Sequence, residues 1–587
     1  MKEMIFNKKK WIYLIIFFVT VYSCKNEDYP QPSKIISDNI NLAIDKAKYS
    51  PGDVINFSSN INLPANCKVR YKYLGSILKE ESIDGQSWTW TAPSDDFKGY
   101  MAELFILEGK EEKVVATIGV DVSSDWSRFP RYGFLSDYGD ISDIVMESVI
   151  SNLNRHHING IQYYDWQYKH HLPIAGSPSA PQGIWTDIIN KNVYFATLEK
   201  YISLSHRYNI NSMFYNLAFG ALNDASYDGV SEEWYLFTDQ NHSNKDKHPL
   251  SQPPFKSDIY LTNPANTYWQ NYLNKNHNDV YSALSFDGFH IDQLGNRGTR
   301  YDYWGNKVNL PEGYASFISS AKVSAPAKRL VMNAVNQFGQ PQIADSETDF
   351  LYTEVWGPNE SYSDLANIIL ENNALSANSK NTVLAAYMNY DLANNQGTFN
   401  TPGVLLTDAV IFAFGGAHIE LGEHMLGKEY FPNNNLQMKP DLRSSIVNYY
   451  DFLVAYQNLL RDGGSFNSPS VNSTDNKASL SLWPPSVGKV AVLGKEVGNR
   501  QVIHFINFTD AVQLNWRDNT GNQPYPNIIY NSSFSVTISK NVEKVWVASP
   551  DYKSGASINI PFTENGGSIS FTIPSIEYWS MVVIDYQ

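Results

Sequence analysis

The chain has 587 residues, too many for one hydrophobic core, so two to four domains are expected. Hydrophobic residues at 43% and charged residues at 18% exclude a wholly disordered chain. The net charge of −15 leaves no broad basic surface for phosphates, which excludes nucleic acid as a partner and favours an uncharged ligand.

At the N-terminus, Lys2, Lys8, Lys9 and Lys10 precede an apolar run over 11–22, and Ser23-Cys24 follows. A basic stretch, a short apolar stretch and a small residue make a secretory signal over 1–23, too short to span a bilayer as a mature helix. Cys24 after Val-Tyr-Ser resembles a bacterial lipobox and is the expected lipidation site, although Tyr22 fits that pattern poorly. Lys25-Asn26-Glu27-Asp28 resembles the acidic export signal of Gram-negative surface lipoproteins. The expected location is therefore the outer membrane, on the cell surface or its periplasmic face, with several acyl chains providing stable anchoring. Cys67 is the only other cysteine, so once Cys24 is acylated no intramolecular disulfide can form.

Residues 24–35 are polar and contain prolines, as a tether does. From 36 to 125, short alternating runs at 54–57, 68–73, 88–90, 101–107 and 114–122 are broken by Pro51-Gly52, Asp84-Gly85 and Glu108-Gly109. This pattern predicts an immunoglobulin-like β-sandwich. Between 126 and 465 the rhythm changes to apolar runs alternating with helical stretches, the mark of repeated β-α units. Strands are predicted at 132–135, 160–164, 211–215, 288–291, 330–333, 350–353, 383–388 and 418–421, numbered one to eight below. Helices are predicted at 141–153, 194–206, 264–280, 314–325, 363–376 and 406–414. Eight repeats favour a closed (β/α)8 TIM barrel over an open sheet. From 466 to 587 the chain turns β again, with strands at 489–493, 501–508, 533–538, 542–548 and 579–584, predicting an antiparallel β-sandwich.

In such a barrel, functional groups gather at the C-terminal ends of the strands. Tyr164, Asp165 and Trp166 follow strand two, with His170 close behind; Asn216 follows strand three. Asp292-Gln293 follows strand four, Glu354-Val355-Trp356 strand six, Asn389 strand seven, and Glu420, Glu423 and His424 strand eight. Carboxylates, amides and aromatics on one rim suit a sugar site, since rings stack on C–H faces and polar groups bind hydroxyls. Glycoside cleavage needs two carboxyl groups flanking the bond. Asp292 and Glu354 are the best pair because each directly ends an apolar run. Capping a helix or pairing on the rim is the structural alternative for either one.

The segment Phe286-Asp287-Gly288-Phe289-His290-Ile291-Asp292-Gln293-Leu294-Gly295 resembles the nucleophile motif of glycoside hydrolase family 66, and Tyr352-Thr353-Glu354-Val355-Trp356 resembles its general acid/base segment. Further similar stretches are 160–170, 214–216 and 415–424, so the resemblance runs from about residue 40 to the C-terminus. That family holds endodextranases and cyclodextran-forming glucanotransferases. The resemblance implies a retaining mechanism on α-1,6-linked glucan, with Asp292 attacking the anomeric carbon and Glu354 protonating the departing oxygen. Dextran and isomaltooligosaccharides are the implied partners, and no cofactor is implied.

Tyr164, Asp165, Trp166, His170, Asn216, Gln293, Trp356, Asn389 and Glu420 are candidate substrate contacts, each with local capping or packing as the alternative. His418, Glu420, Glu423 and His424 match no zinc spacing, so no metal is expected there. The transferase is the rival enzyme, but those proteins carry an inserted carbohydrate-binding module, and the connection 389–404 is too short for one. A non-catalytic surface glycan-binding lipoprotein is the rival of a different class.

Overall fold

The computed structural model describes residues 40–109 and 111–587. The expected signal peptide, Cys24 and the tether lie outside the described residues. The protein is multidomain and strand-rich, and separate hydrophobic clusters mark its parts.

Residues 40–122 form a three-stranded and a four-stranded antiparallel sheet around one cluster that includes Phe57, Tyr71, Trp90 and Ile118. The strand Val54–Leu63 shows why: Ile55, Phe57 and Leu63 face inward while Val54, Asn56 and Ser58 face water. Burying each large side chain contributes roughly 1.5–3 kcal/mol. Two strands not anticipated, Leu42–Ile44 and Ser76–Ser82, complete the sheets; the second has hardly a buried residue and so lacks the alternating signal.

Eight parallel strands follow at the anticipated places. Tyr132–Leu135, Gly160–Tyr163, Asn211–Leu217, Gly288–Asp292 and Arg329–Met332 pair in that order in one sheet; Leu351–Glu354, Thr382–Ala385 and Ala417–His418 form a second. Between the two sheets run a single parallel bridge, Asn333 to Tyr352, and a hydrogen bond from the Phe134 amide to the Leu421 carbonyl at 3.0 Å. The ladder is therefore not continuous. One cluster nonetheless draws on both sheets, with Tyr132, Phe134, Met213, Val331, Phe350, Tyr352, Val383 and Ala417 packed together. Close approach explains a glycine here: a Cβ on Gly160 would lie 2.2 Å from the Trp126 ring.

Each anticipated helix is present within about five residues, and among the described residues three were not foreseen, the shortest being the single turn Gln457–Leu460. Gln340–Ala344 is too short to show a period. Pro440–Ala455 begins with proline in its first turn, a start signal. Its second half is buried on nearly every side, which hides the amphipathic stripe. It packs against the N-terminal sheets, where Asp451 accepts from the Gly119 amide at 2.9 Å. Thr401–Ala413 is buried throughout, as a helix apolar all round must be.

Residues 465–586 form a larger and a smaller sheet, largely antiparallel, over a cluster that includes Phe505, Phe534, Val547 and Ile573. A loop from this region, 510–525, reaches back to the parallel strands: Arg517 donates to the Val355 carbonyl at 2.9 Å and the Tyr387 carbonyl at 3.3 Å.

Candidate functional site

A cavity of about 370 Å³ opens at the C-terminal ends of the parallel strands. Asp292, Glu354, Tyr164, Asp165, His170, Gln293 and Trp356 line it, so seven of the anticipated residues converge. Among the described residues its lining holds four carboxylates (Asp165, Asp292, Glu354 and Glu429) and neither lysine nor arginine.

Asp292 ends its strand, and register places it beside Leu217, the last residue of strand three. The Tyr215 hydroxyl donates to Asp292 Oδ2 at 2.8 Å. Glu354 ends strand six, and the Tyr387 hydroxyl donates to its Oε1 at 2.7 Å. Asn333, the residue after strand five, stands between them. Its Nδ2 donates to Asp292 Oδ1 at 2.9 Å and to Glu354 Oε2 at 3.0 Å, while its Oδ1 accepts from the Glu354 amide at 3.2 Å. The two carboxyl oxygens bound by that one nitrogen are thus no more than about 6 Å apart, the two bond lengths laid end to end. Retaining pairs stand at roughly 5–5.5 Å and inverting pairs at about 6.5–9.5 Å.

Burial pushes both carboxyls up. For Asp292, donation from Tyr215 and Asn333 favours the ionised form and opposes the shift. For Glu354, the adjacent Asp292 charge adds to burial and outweighs the donors Tyr387 and Asn333, raising it to about 7. The donors thus work toward the anion at Asp292 while the Asp292 charge works toward the protonated acid at Glu354, the opposed pulls that acid-base cleavage uses.

The walls are aromatic. Tyr164 stacks on Phe431 with centroids 4.4 Å apart, and Trp356 packs against Tyr387 at 5.5 Å. His290, beneath the carboxylates, packs edge-on against Tyr352 at 4.8 Å, and burial lowers its pKa to about 3, so it is neutral. Asp165 has a positive φ of 42°, a backbone strain that surrounding structure must hold. Burial and the Asp187 charge raise its carboxyl to about 7.

Four anticipated contacts lie outside the cavity lining. Trp166 is fully buried among Phe214 and Phe286, its indole donating to the Tyr215 carbonyl at 3.3 Å. Asn216 donates to the His170 carbonyl at 2.8 Å and meets His170 Nδ1 at 2.9 Å, so it orients a cavity residue. Asn389 ties two loops together, donating to the Asp518 carbonyl at 2.7 Å and accepting from the Asn400 amide at 2.8 Å. Glu420 lies behind strand eight, bound by the Tyr450 hydroxyl at 3.0 Å. There Asp408, His418 and Glu420 form a buried cluster whose ligand-type atoms lie within 4.8 Å of one another. Its His418 is tied to Asp408 at 2.9 Å and to the Ala386 carbonyl at 2.8 Å. Glu423 accepts from the Ser136 and Asp137 amides at 2.6 and 3.0 Å and fixes the loop after strand one.

Asn333, Tyr215, Tyr387 and Glu429 were not anticipated. Tyr215 and Asn333 fall inside anticipated strands, where an aromatic or amide carries no separate signal. Tyr387 could have been found as a tyrosine at the end of strand seven. Nothing local marks Arg517, whose guanidinium lies 5.1 Å from the Trp356 ring centroid.

The fold and this carboxylate-lined, aromatic cavity define a glycosidase. A model of glycosyl hydrolase family 66 matches residues 44–583, and the chain belongs to that family. It is 26% identical to a cycloisomaltooligosaccharide glucanotransferase of Niallia circulans, over 92% of this chain and 71% of that protein. It is 23% identical to a dextranase of Streptococcus salivarius, over 83% of this chain and 67% of the dextranase. The crystal structure of a Paenibacillus sp. cycloisomaltooligosaccharide glucanotransferase complexed with cycloisomaltoheptaose is similar at a TM-score of 0.85 and 26% identity, covering 93% of this chain and 99% of that one.

Proposed function

We propose that the protein is a retaining endodextranase that cleaves internal α-1,6-glucosidic bonds of dextran to isomaltooligosaccharides. Asp292 is the nucleophile and Glu354 the general acid/base. The observation that supports this reading is the Asn333 amide bound to both carboxylates, which keeps those two oxygens within about 6 Å, short of the inverting range. In the first step Asp292 bonds to the anomeric carbon while Glu354 gives its proton to the departing O6. In the second, Glu354 takes a proton from water, which displaces Asp292 and restores the configuration. The two parallel sheets are read as two arcs of one (β/α)8 barrel spanning 126–465, flanked by sandwiches at 36–125 and 466–587. The residues shared between the sheets in one cluster support that closure.

Cyclisation by transfer is the second reading, favoured by the two glucanotransferase relatives and the similar solved structure. Alignment with the N. circulans transferase runs over 699 positions while covering 92% of this chain, about 540 residues. A stretch of that transferase has no counterpart here, but the similar Paenibacillus transferase is matched over 99% of its chain, so length does not separate the two readings. Incubating the protein with dextran and sizing the products decides between them. Linear isomaltooligosaccharides of mixed length support the endodextranase, cyclic products the transferase, and unchanged polymer a binding protein.

Acylation at Cys24 and display on the outer membrane complete the proposal, resting on the basic, apolar and small-residue pattern of residues 1–24. Cys24→Ser should move the protein from the membrane to the soluble fraction; retention in the membrane would refute the anchor.

A further inference from the structure

A second cavity, of about 200 Å³, lies at the other end of the parallel strands. It is built from the loop entering strand seven, the loop entering strand eight, the chain at 460–464 and the strand Lys489–Val497. Among the described residues its lining carries three cationic side chains, Lys380, Arg461 and Lys495, and no carboxylate. In a chain of net charge −15 that imbalance is unexpected.

The cations are deeply placed. Arg461 is 5% exposed and Lys495 is 3% exposed. Arg461 donates from Nε to the Gly415 carbonyl and from Nη2 to the Pro130 carbonyl, but its buried Nη1 has no partner. Lys495 Nζ donates to the Leu460 carbonyl at 2.8 Å, leaving donors over. Lys380 is bonded to Ala344, Ser346 and Thr348, so it contributes field rather than a donor. The acids that act on Lys495 and Arg461 are engaged elsewhere, Asp462 by Arg128 and Asn458 and Asp121 by Arg131 at 2.7 Å, while Asp345, Glu347 and Asp349 act on Lys380. A buried cation without a counter-ion is destabilising, and an orphaned buried donor adds to that.

We propose that this cavity binds a small oxyanion of the sulfate and phosphate class, held by Arg461 and Lys495. The anion would accept from Lys495 Nζ and, once the Arg461 guanidinium turns to present its shielded Nη1, from that atom too, clasping the loops before strands seven and eight to the C-terminal sheet. Burial lowers Lys495 to about 7, so an arriving anion draws a proton onto it at mildly alkaline pH.

The test is calorimetric titration of the purified protein with sodium sulfate at pH 8, at ionic strength held constant with sodium chloride. Saturable one-to-one binding, accompanied by proton uptake seen in two buffers of different ionisation enthalpy, is the expected result. Phosphate should compete with it. Lys495→Gln, folded by circular dichroism, should bind at least tenfold more weakly and take up no proton. Sulfate also stabilises proteins by exclusion from their surface, but that effect does not saturate and would be shared by the variant. Heats that do not saturate, or equal binding by the variant, overturn the proposal. If Lys495→Gln does not fold, crystals soaked in selenate decide. An anomalous peak between Arg461 and Lys495 supports the site, and water alone there refutes it.

Discussion

Asp292 and Glu354 share a single side-chain amide. Asn333 Nδ2 lies 2.9 Å from one carboxylate and 3.0 Å from the other, so two acids on different strands of different sheets have one common tether. Strand five ends at Met332, and the bridge from Asn333 to Tyr352 carries the chain past strand six at the level of the acids.

That tether predicts a positioning role for Asn333. Asn333→Ala should fold normally yet lower kcat about 10²–10³-fold, the effect of removing one preorganised donor. Because the amide favours both anions, its loss should also shift the pH profile toward higher pH. A reduced kcat with an unmoved profile, measured on dextran from pH 4 to 9, would show the amide to be merely structural.

The nucleophile can be tested by chemical rescue. Asp292→Ala should lose essentially all activity. Added azide should restore turnover of an activated α-glucoside, giving the β-glycosyl azide through direct attack from the vacated side. No rescue, or an α-azide product, would count against Asp292 in that role.

The pH dependence follows from the two shifts. Glu354 is raised to about 7 by burial and the Asp292 charge. As the acid it must be protonated, so activity is full below that value and lost as pH rises through it. Asp292 must be ionised, and because its pKa is also raised, the acid limb should lie above the ordinary 3.8. Glu354→Gln should abolish the alkaline limb in kcat/KM and spare substrates whose leaving group needs no proton. An alkaline limb that persists in Glu354→Gln would reassign it.

How much of this was legible in the sequence depended on the type of signal. Asp292 and Glu354 stood out because each ends a short apolar run, and a carboxylate there has no place in a core. Trp166 and Trp356 look alike in sequence, each shortly after a strand-end acid. The left-handed turn at Asp165 sends Trp166 back into the wall, while Trp356 stays at the opening. Asn216, Asn333 and Asn389 likewise lie at or just past strand ends, yet of the three only Asn333 touches the acids. An amide's partner is set by three-dimensional register, which spacing does not encode. Arg517 supports the carbonyls of Val355 and Tyr387 from more than a hundred residues away.

Stability at low pH should depend on Asp451, which joins the helix Pro440–Ala455 to the N-terminal sheets and to Arg155 and His157. Burial opposes its charge, but Arg155 and His157 outweigh that and hold it down to about 2, below its ordinary 3.8. Its contribution is therefore complete above 3.8 and lost as pH falls toward 2. Asp451→Asn should destabilise the fold by about 3–5 kcal/mol at neutral pH, as removing one partner of a buried pair does. The deficit relative to wild type should shrink as pH falls through that window, measured by denaturant unfolding.

The most direct measurement is the anomeric configuration of the first product released from dextran, followed by proton NMR before mutarotation. Carboxyl oxygens held within about 6 Å by Asn333 predict the α-anomer first, with the β-anomer growing in later. The β-anomer appearing first would mean inversion, a wider carboxylate separation during catalysis, and no glycosyl bond to Asp292.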